Sequence, residues 1–346
     1  MNHNLEPSAY PNRKKPWLFP LALVLLSLCL LGSLFFGAVA IPPSDFFLWC
    51  SGNADAQTAL IIEELRLPRA LLAVLIGSLL ASCGTVTQGL FRNPLADPSL
   101  IGVSAGATAG ASVVIVLFHQ LQWSYGGLSL ISLGAFIGAV IVVTFVYRLA
   151  SNPNGTSIAT LLLAGIAFTY LAGSFTNILE YIADSDMLKR LSLWRMGGLE
   201  AADYSQVSIL AVVSVVVLSL LFSQSRALDA LLLGESEARH LGLKVNRLKK
   251  LVILCVAAGV GTSVAFAGTI AFIGLIVPHV LRMLIGPGHR ALIPLAACAG
   301  AILLLIADTL ARTILAPIEL PVGLVTALLG APIFIALLRR HYQFGM

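Results

Sequence analysis

Apolar runs of membrane-spanning length recur along the whole chain, separated by short polar loops. A hydrocarbon core of ~30 Å takes ~20 helical residues. Ten runs meet or approach that length: Trp17–Ala40, Ala70–Leu90, Leu100–Phe118, Leu128–Leu149, Ile158–Leu179, Val207–Phe222, Leu251–Ala267, Thr269–Leu284, Ala291–Leu310 and Val322–Leu338. The pattern predicts an all-α, polytopic membrane protein with about ten transmembrane helices. The stretch Leu251–Ile285 has Arg282 as its only charge and is too long for one upright helix. Gly268-Thr269, followed by Gly274 and Pro278, predicts a break there between two shorter helices.

Between the second and third runs lies a polar elbow, Arg92-Asn93-Pro94-Leu95-Ala96-Asp97-Pro98. Its prolines lack the amide hydrogen and restrict the residues before them, so the helix cannot continue through it. The run that follows repeats Gly102, Gly106 and Gly110 at four-residue spacing. Such a stripe lets helix backbones approach closely, which predicts a packed bundle rather than a simple anchor.

Composition sharpens the class. The chain is 58% hydrophobic and 11% charged with mean hydropathy +0.94, against ~25% charged in a soluble domain. A water-soluble fold is excluded. Residues 1–16 are expected to be a cytoplasmic tail, 17–340 one transmembrane domain, and 225–250 a cytoplasmic loop within it. With ten spans and a cytoplasmic N-terminus, 15 Lys and Arg lie inside and 6 outside; fusing the two helices of 251–285 gives 12 against 9. The positive-inside bias favours ten spans with both termini cytoplasmic. Arg13-Lys14-Lys15 and Ala38-Val39-Ala40 flank the first run as in a secretory signal. A signal's apolar core is only ~7–15 residues, so the run is read as a retained helix. The basic residues form no stripe with interleaved aromatics, which argues against nucleic acid. The five cysteines contain no CxxC pair, which argues against a disulfide framework or a metal site.

A faint internal repeat is present. Arg69-Ala70-Leu71 and Arg290-Ala291-Leu292 each open a helix, and each leads 33 residues on to a glycine, Gly102 or Gly323. The copies start on opposite sides, as in an inverted repeat; chance similarity between two apolar helices accounts for the same residues.

Chemistry inside the spans is sparse. No Asp, Glu or Lys lies near the middle of any run, and Asp308 and Arg312 belong to the outer end of the ninth. Ion-coupled carriers need intramembrane ionisable groups. A potassium-filter sequence, an HExxH motif and a P-loop are all missing, and Gly-Lys never occurs. No catalytic or metal-ligating residue is assigned, and ATP could drive this chain only through a partner. The 226–250 loop has acidic residues, then Arg239 and His240, then Gly242. That order suits a short helix, its dipole and its C-terminal cap. Too short to hold itself up, it reads as a knob for another protein or as a solvated loop.

Six ordered motifs carry a resemblance. They are Arg66-Leu-Pro-Arg69, Gln88-Gly-Leu-Phe-Arg-Asn-Pro-Leu-Ala-Asp-Pro98, Leu161-Leu-Leu-Ala-Gly165, Leu233-Gly-Glu-Ser-Glu-Ala-Arg-His-Leu-Gly242, Phe272-Ile-Gly-Leu-Ile-Val-Pro-His279 and Glu319-Leu-Pro-Val-Gly323. Over roughly residues 20–340 the chain resembles the iron-chelate/vitamin B12 permease family of bacterial ABC importers. The resemblance implies an inverted-repeat permease fold in the inner membrane and a homodimer with the pathway between subunits. It also implies two cytoplasmic ATPase subunits holding ATP and Mg, a periplasmic substrate-binding protein, and no cofactor on this chain. Arg66, Arg69 and Arg312 resemble the outer-face arginines that pair with carboxylates of the binding protein; snorkelling to headgroups is the other reading. Asn93 and Leu95 resemble the cytoplasmic gate, with a structural Asn cap as the alternative. Gly234, Glu235, Ser236, Glu237, Ala238, Arg239, His240, Leu241 and Gly242 resemble the segment received by the ATPase. Ile158-Ala159-Thr160 is more apolar than the second gate of some members, and no gate is assigned there. Tyr181-Ile-Ala-Asp184 with Leu191-Ser-Leu-Trp194-Arg-Met-Gly197 looks most like the haem-importing branch. Haem or a ferric chelate is therefore the implied cargo, with a ferric siderophore or cobalamin as the alternative. Met196, Tyr181 and His119 could touch iron in passing, though packing explains them as well. A stand-alone carrier or channel is the competing class.

Overall fold

A computed structural model describes residues 17–343 apart from Gln122 and Asn154; the expected tail 1–16 lies outside the described residues. The helices are α1 (Leu18–Phe35), α2 (Pro43–Cys50), α3 (Ala56–Leu60), α4 (Leu67–Phe91), α5 (Val103–Leu117), α6 (Leu130–Ala150), α7 (Ile158–Ile182) and α8 (Ser185–Met196). They continue with α9 (Tyr204–Ser223), α10 (Ser225–Leu232), α11 (Glu235–His240), α12 (Val245–Ala267), α13 (Ile273–Ile285), α14 (His289–Thr313) and α15 (Val322–Gln343). Seven helical rods among the described residues are long and apolar enough to cross a bilayer: α1, the continuous Ala56–Phe91 rod, α6, α7, α9, α12 and α14. The apolar helices α5, α13 and α15 are shorter. All ten expected runs are therefore helical, in an all-α polytopic arrangement.

Several ends differ from the expected ones, and local chemistry sets three of the boundaries. The second span starts fourteen residues early, at Ala56, because Asp55 caps α3 by accepting from Thr58 N (3.3 Å) and a π-helical stretch Ile61–Arg66 joins α3 to α4. The third starts at Val103 because Asp97 caps a 3-10 turn, Pro98–Ile101, before the chain turns left-handed at Gly102. The break in 251–285 falls at Gly268, where α12 ends, and α13 starts five residues on. The short elements α2 and α8 and two hairpins, β1–β2 (Ser124–Tyr125, Leu128–Ser129) and β3–β4 (Ser151–Asn152, Gly155–Thr156), leave no trace in a twenty-residue apolar pattern.

Helix α4 is the axis of the bundle. It is buried almost continuously from Leu79 to Phe91 and packs on α14, α13, α9 and α12. Bare backbone makes the closest approaches. A Cβ on Gly77 would lie 2.3 Å from the Gly300 carbonyl oxygen, and one on Gly84 would lie 1.8 Å from that of Gly274. The expected stripe on α5 meets a matching stripe on α6: Gly106 lies on Gly138 and Gly110 on Gly134. Helices α4 and α14, the pair opened by Arg69-Ala-Leu and Arg290-Ala-Leu, run antiparallel, with Gly77 on Gly300 and Gly89 on His289.

The bundle has two functional ends. One carries the 92–98 elbow, the β3–β4 hairpin, α10, α11 and the start of α14. The other carries α2, the β1–β2 hairpin, α8 and the turn before α15; there Tyr204 Oη, at the start of α9, donates to Glu63 O of the π-helical stretch (2.6 Å).

Candidate functional site

Helix α7 crosses the bundle with few partners, and its sequence places a row of small and polar residues on one side. Thr169, Gly173, Thr176, Asn177 and Glu180 follow the three- and four-residue steps of one helical face. That face, with Thr108 of α5 and Arg195 of α8, lines a cavity of about 770 Å³. Polar side chains on a membrane helix are disfavoured against hydrocarbon, so such a row belongs where water or solute passes. The cavity holds one ion pair, Arg195 Nη1 to Glu180 Oε1 at 2.5 Å. The walls are otherwise uncharged, and Met196 brings a thioether to them. A second chamber of about 310 Å³ lies behind the elbow, bordered by Asp97, Ser99, Phe272 and Gly274. Thr269 borders both chambers.

The elbow is a pair of caps. Arg92 ends α4 in a left-handed conformation (φ 49°), and Asn93 Oδ1 accepts from Leu95 N at 2.9 Å. Asn93 is exposed and Leu95 is 38% exposed. Within one subunit neither lines a chamber; Asp97, Pro98 and Ser99 do. The observed work of Asn93 is the local cap.

The α10–α11 segment has the helix, dipole and cap order read from its sequence. Gly234 enters α11 at φ 126°, a conformation that side-chain-bearing residues avoid. Glu235 and Glu237 start the helix, Arg239 and His240 end it, and Gly242 follows at φ 81°. Ser236, Glu237, Arg239, His240, Leu241 and Gly242 are exposed, and Ala238 anchors the inner side at 0%. Glu235 faces inward: its Oε1 lies 2.6 Å from Lys249 Nζ, and its Oε2 lies 3.6 Å from Arg239. A second anchor holds α10, where Asp229 Oδ1 accepts from His289 N (2.8 Å) and sits 2.7 Å from His289 Nδ1. His289 in turn packs on Gly89, three residues before the elbow.

The arginines at the other end are buried within the chain. Arg66, Arg69 and Arg312 are 5%, 7% and 4% exposed, and they are not surface charges. Arg312 lies in the last turn of α14, at the helix end where the sequence reading puts it, whereas the second rod begins at Ala56, so Arg66 and Arg69 lie turns inside it, beneath the end of α1. Arg66 Nη1 donates to Leu34 O (2.6 Å) and Phe35 O (3.0 Å), and Nη2 donates to Val39 O. Arg69 holds Asp308 (Nε–Oδ1 2.8 Å) and Glu319 (Nη1–Oε2 2.6 Å). Arg312 lies 3.1 Å from Asp308 Oδ2, an ionic contact without hydrogen-bond alignment, and donates to Ser33 O (3.2 Å). The guanidiniums knit α1, α4, α14 and the turn before α15 into one unit. Exposed charge at this end is mostly acidic, with Glu63, Glu64, Asp184, Asp186, Glu200 and Asp203 outnumbering Lys189, Arg190 and Arg195.

Residues 25–340 match the FecCD transport family. The chain belongs to that family. Among relatives, this FecCD chain is 45% identical over 325 residues to the hemin transport system permease protein HmuU of Yersinia pestis, spanning 93% of this chain and 95% of the relative. It is 42% identical over 328 residues to the vitamin B12 import system permease protein BtuC of Salmonella paratyphi A, spanning 95% and 96%. A solved inward-facing metal-chelate type ABC transporter superposes with TM-score 0.84 at 30% identity, covering 94% of this chain and 99% of its own.

The α7 row, the buried Lys249 and the Asp229–His289 pair escaped the sequence reading. The row had a visible signal: five small or polar residues at helical spacing in an apolar run. The Lys249–Glu235 and His289–Asp229 contacts had none, since the partners are 14 and 60 positions apart.

Proposed function

We propose that this FecCD chain is the permease subunit of an ATP-driven bacterial importer for haem or a ferric chelate, acting as a homodimer in the inner membrane. The polar row of α7 on its cavity carries the reading, because a mere anchor has no use for hydrophilic side chains at membrane depth. The cavity lies within the usual ~300–1,000 Å³ of small-molecule sites. Cargo received from a periplasmic binding protein at the α2–α8 end passes the chambers and leaves beside the elbow. There Asn93 and Leu95 of two copies narrow the opening. ATP and Mg are held by two cytoplasmic ATPase subunits seated on α10–α11. The HmuU relative supports haem as cargo, and the BtuC relative makes cobalamin the leading competitor.

The test is uptake of radio-iron haemin by proteoliposomes containing the chain, its ATPase and its binding protein. Uptake is expected to need ATP and to be competed by haemin more strongly than by a ferric siderophore or cobalamin. Uphill uptake by vesicles holding this chain alone, without nucleotide, would overturn the proposal. The docking surface is tested separately with Glu237→Arg, which alters an exposed side chain of α11. ATPase retained on the purified permease should fall about tenfold, the scale of losing one good charged contact. Undiminished retention and uptake would place the ATPase elsewhere. Glu235 is unsuited to that test, because an arginine there would face the buried Lys249.

A further inference from the structure

Lys249 is the largest fully buried side chain among the described residues, at 1% exposure. Taking an ammonium out of water is costly unless partners compensate, and a hydrophobic side chain would fill the space with less penalty. What the ammonium adds is several donors on one atom. Nζ reaches Glu235 Oε1 on α11 at 2.6 Å and donates to the Thr156 carbonyl at 2.6 Å. Thr156 closes the β3–β4 hairpin, and the next residue, Ser157, is the N-cap of α7, its Oγ accepting from Thr160 N. The hairpin is pressed on α12 a second time, at Gly155, where a Cβ would lie 2.5 Å from Asn246 Oδ1. From that cap, at ~1.5 Å per residue, Thr169 at the cavity is 12 residues along the same helix.

We propose that Lys249 is a positioning residue that carries displacement of the ATPase-docking helix α11 to the cavity helix α7. The proposal rests on the permease reading above. Each link is short and directional: carboxylate to ammonium, ammonium to backbone carbonyl, carbonyl to helix cap. Hydrogen bonds stretch little before they are lost, so a shift of α11 either moves the hairpin or breaks the link. The Asp229–His289 pair ties α10 to α14 by a separate route. Lys249, a residue of α12, thus offers a route toward α7 that is distinct from that one.

The experiment compares wild type, Lys249→Met, Lys249→Arg and Glu235→Gln, each assembled with ATPase and binding protein in proteoliposomes. ATP hydrolysed and radio-iron haemin imported are counted per assembled complex. Lys249→Met should assemble and hydrolyse ATP, with haemin imported per ATP falling about tenfold, as suits a lost charged hydrogen bond. Lys249→Arg should restore most of the ratio, and Glu235→Gln should fall between. If Lys249→Met does not assemble, Glu235→Gln reports the same link with the lysine still bonded to Thr156. An unchanged haemin-per-ATP ratio in both variants would overturn the proposal. So would uptake and hydrolysis falling together in step with the amount of complex, since that is a purely structural role. If wild type itself binds no ATPase or imports nothing, the permease reading fails instead.

Discussion

Replacing Asp308 with Leu is expected to be among the most destabilising single substitutions in this protein, at about 3–5 kcal/mol, the usual cost of leaving buried charge uncompensated. Asp308 is fully buried and is gripped by Arg69 at 2.8 Å and Arg312 at 3.1 Å. Without it, two guanidiniums at 8% and 5% side-chain exposure keep only Glu319 and the Ser33 carbonyl. They lie close enough to repel, and the site is too dry to screen them. Asp308→Asn keeps an acceptor and should lose less. Combining Asp308→Leu with Arg69→Met and Arg312→Leu should recover most of the loss, because an apolar set removes the charges that lack a partner. Thermal unfolding in detergent, read through the multiple-mutant cycle, measures all of this. A melting point for Asp308→Leu equal to wild type would show that the network holds nothing together.

The second large effect is expected at Gly84. A Cβ there would stand 1.8 Å from the carbonyl oxygen of Gly274 and 2.7 Å from its Cα. Both are backbone atoms of α13, so no rotamer change makes room. Gly84→Val must push α13 away from α4 and with it disturb the chamber behind the elbow, which Gly274 borders. Overpacking costs about 1–3 kcal/mol where side chains can adjust; here the expected loss is at the top of that range or beyond. Gly32→Val in α1 is the control, since nothing lies within 4 Å of its added carbon. Expression level and melting temperature of the two variants decide the matter. Equal behaviour would mean that the α4–α13 seam is not close-packed.

Much of the fold was legible because bilayer thickness writes itself into run length. Even the broken region was readable, from one glycine and a charge count. The lengths of the rods were less so. Asp55 caps a helix fourteen residues before the second apolar run, and Glu63, Glu64, Arg66 and Arg69 kept the hydropathy low where the helix continues. That shorter reading put Arg66 and Arg69 at a helix end, when they lie turns inside the rod. Their fate depended on the carbonyls at the end of α1 and on Asp308, 239 positions from Arg69, and a chain read in order cannot pair such distant groups. The α10–α11 segment was read well because its signals are local: acids first, bases last, then glycine. Its inward anchors are tertiary and were invisible.

Helix α1 looks dispensable by burial, since only Ser33 and Leu34 are covered. Yet its C-terminal turn supplies the acceptors for Arg66 and Arg312. The last carbonyls of a helix have no partner within it, so this turn has acceptors to spare. Arg66 reaches them from 32 residues along the chain and Arg312 from 279. A helix that buries little of itself thus serves as a receptor for charges that would otherwise be stranded in hydrocarbon. A chain lacking α1 would leave both guanidiniums without those acceptors.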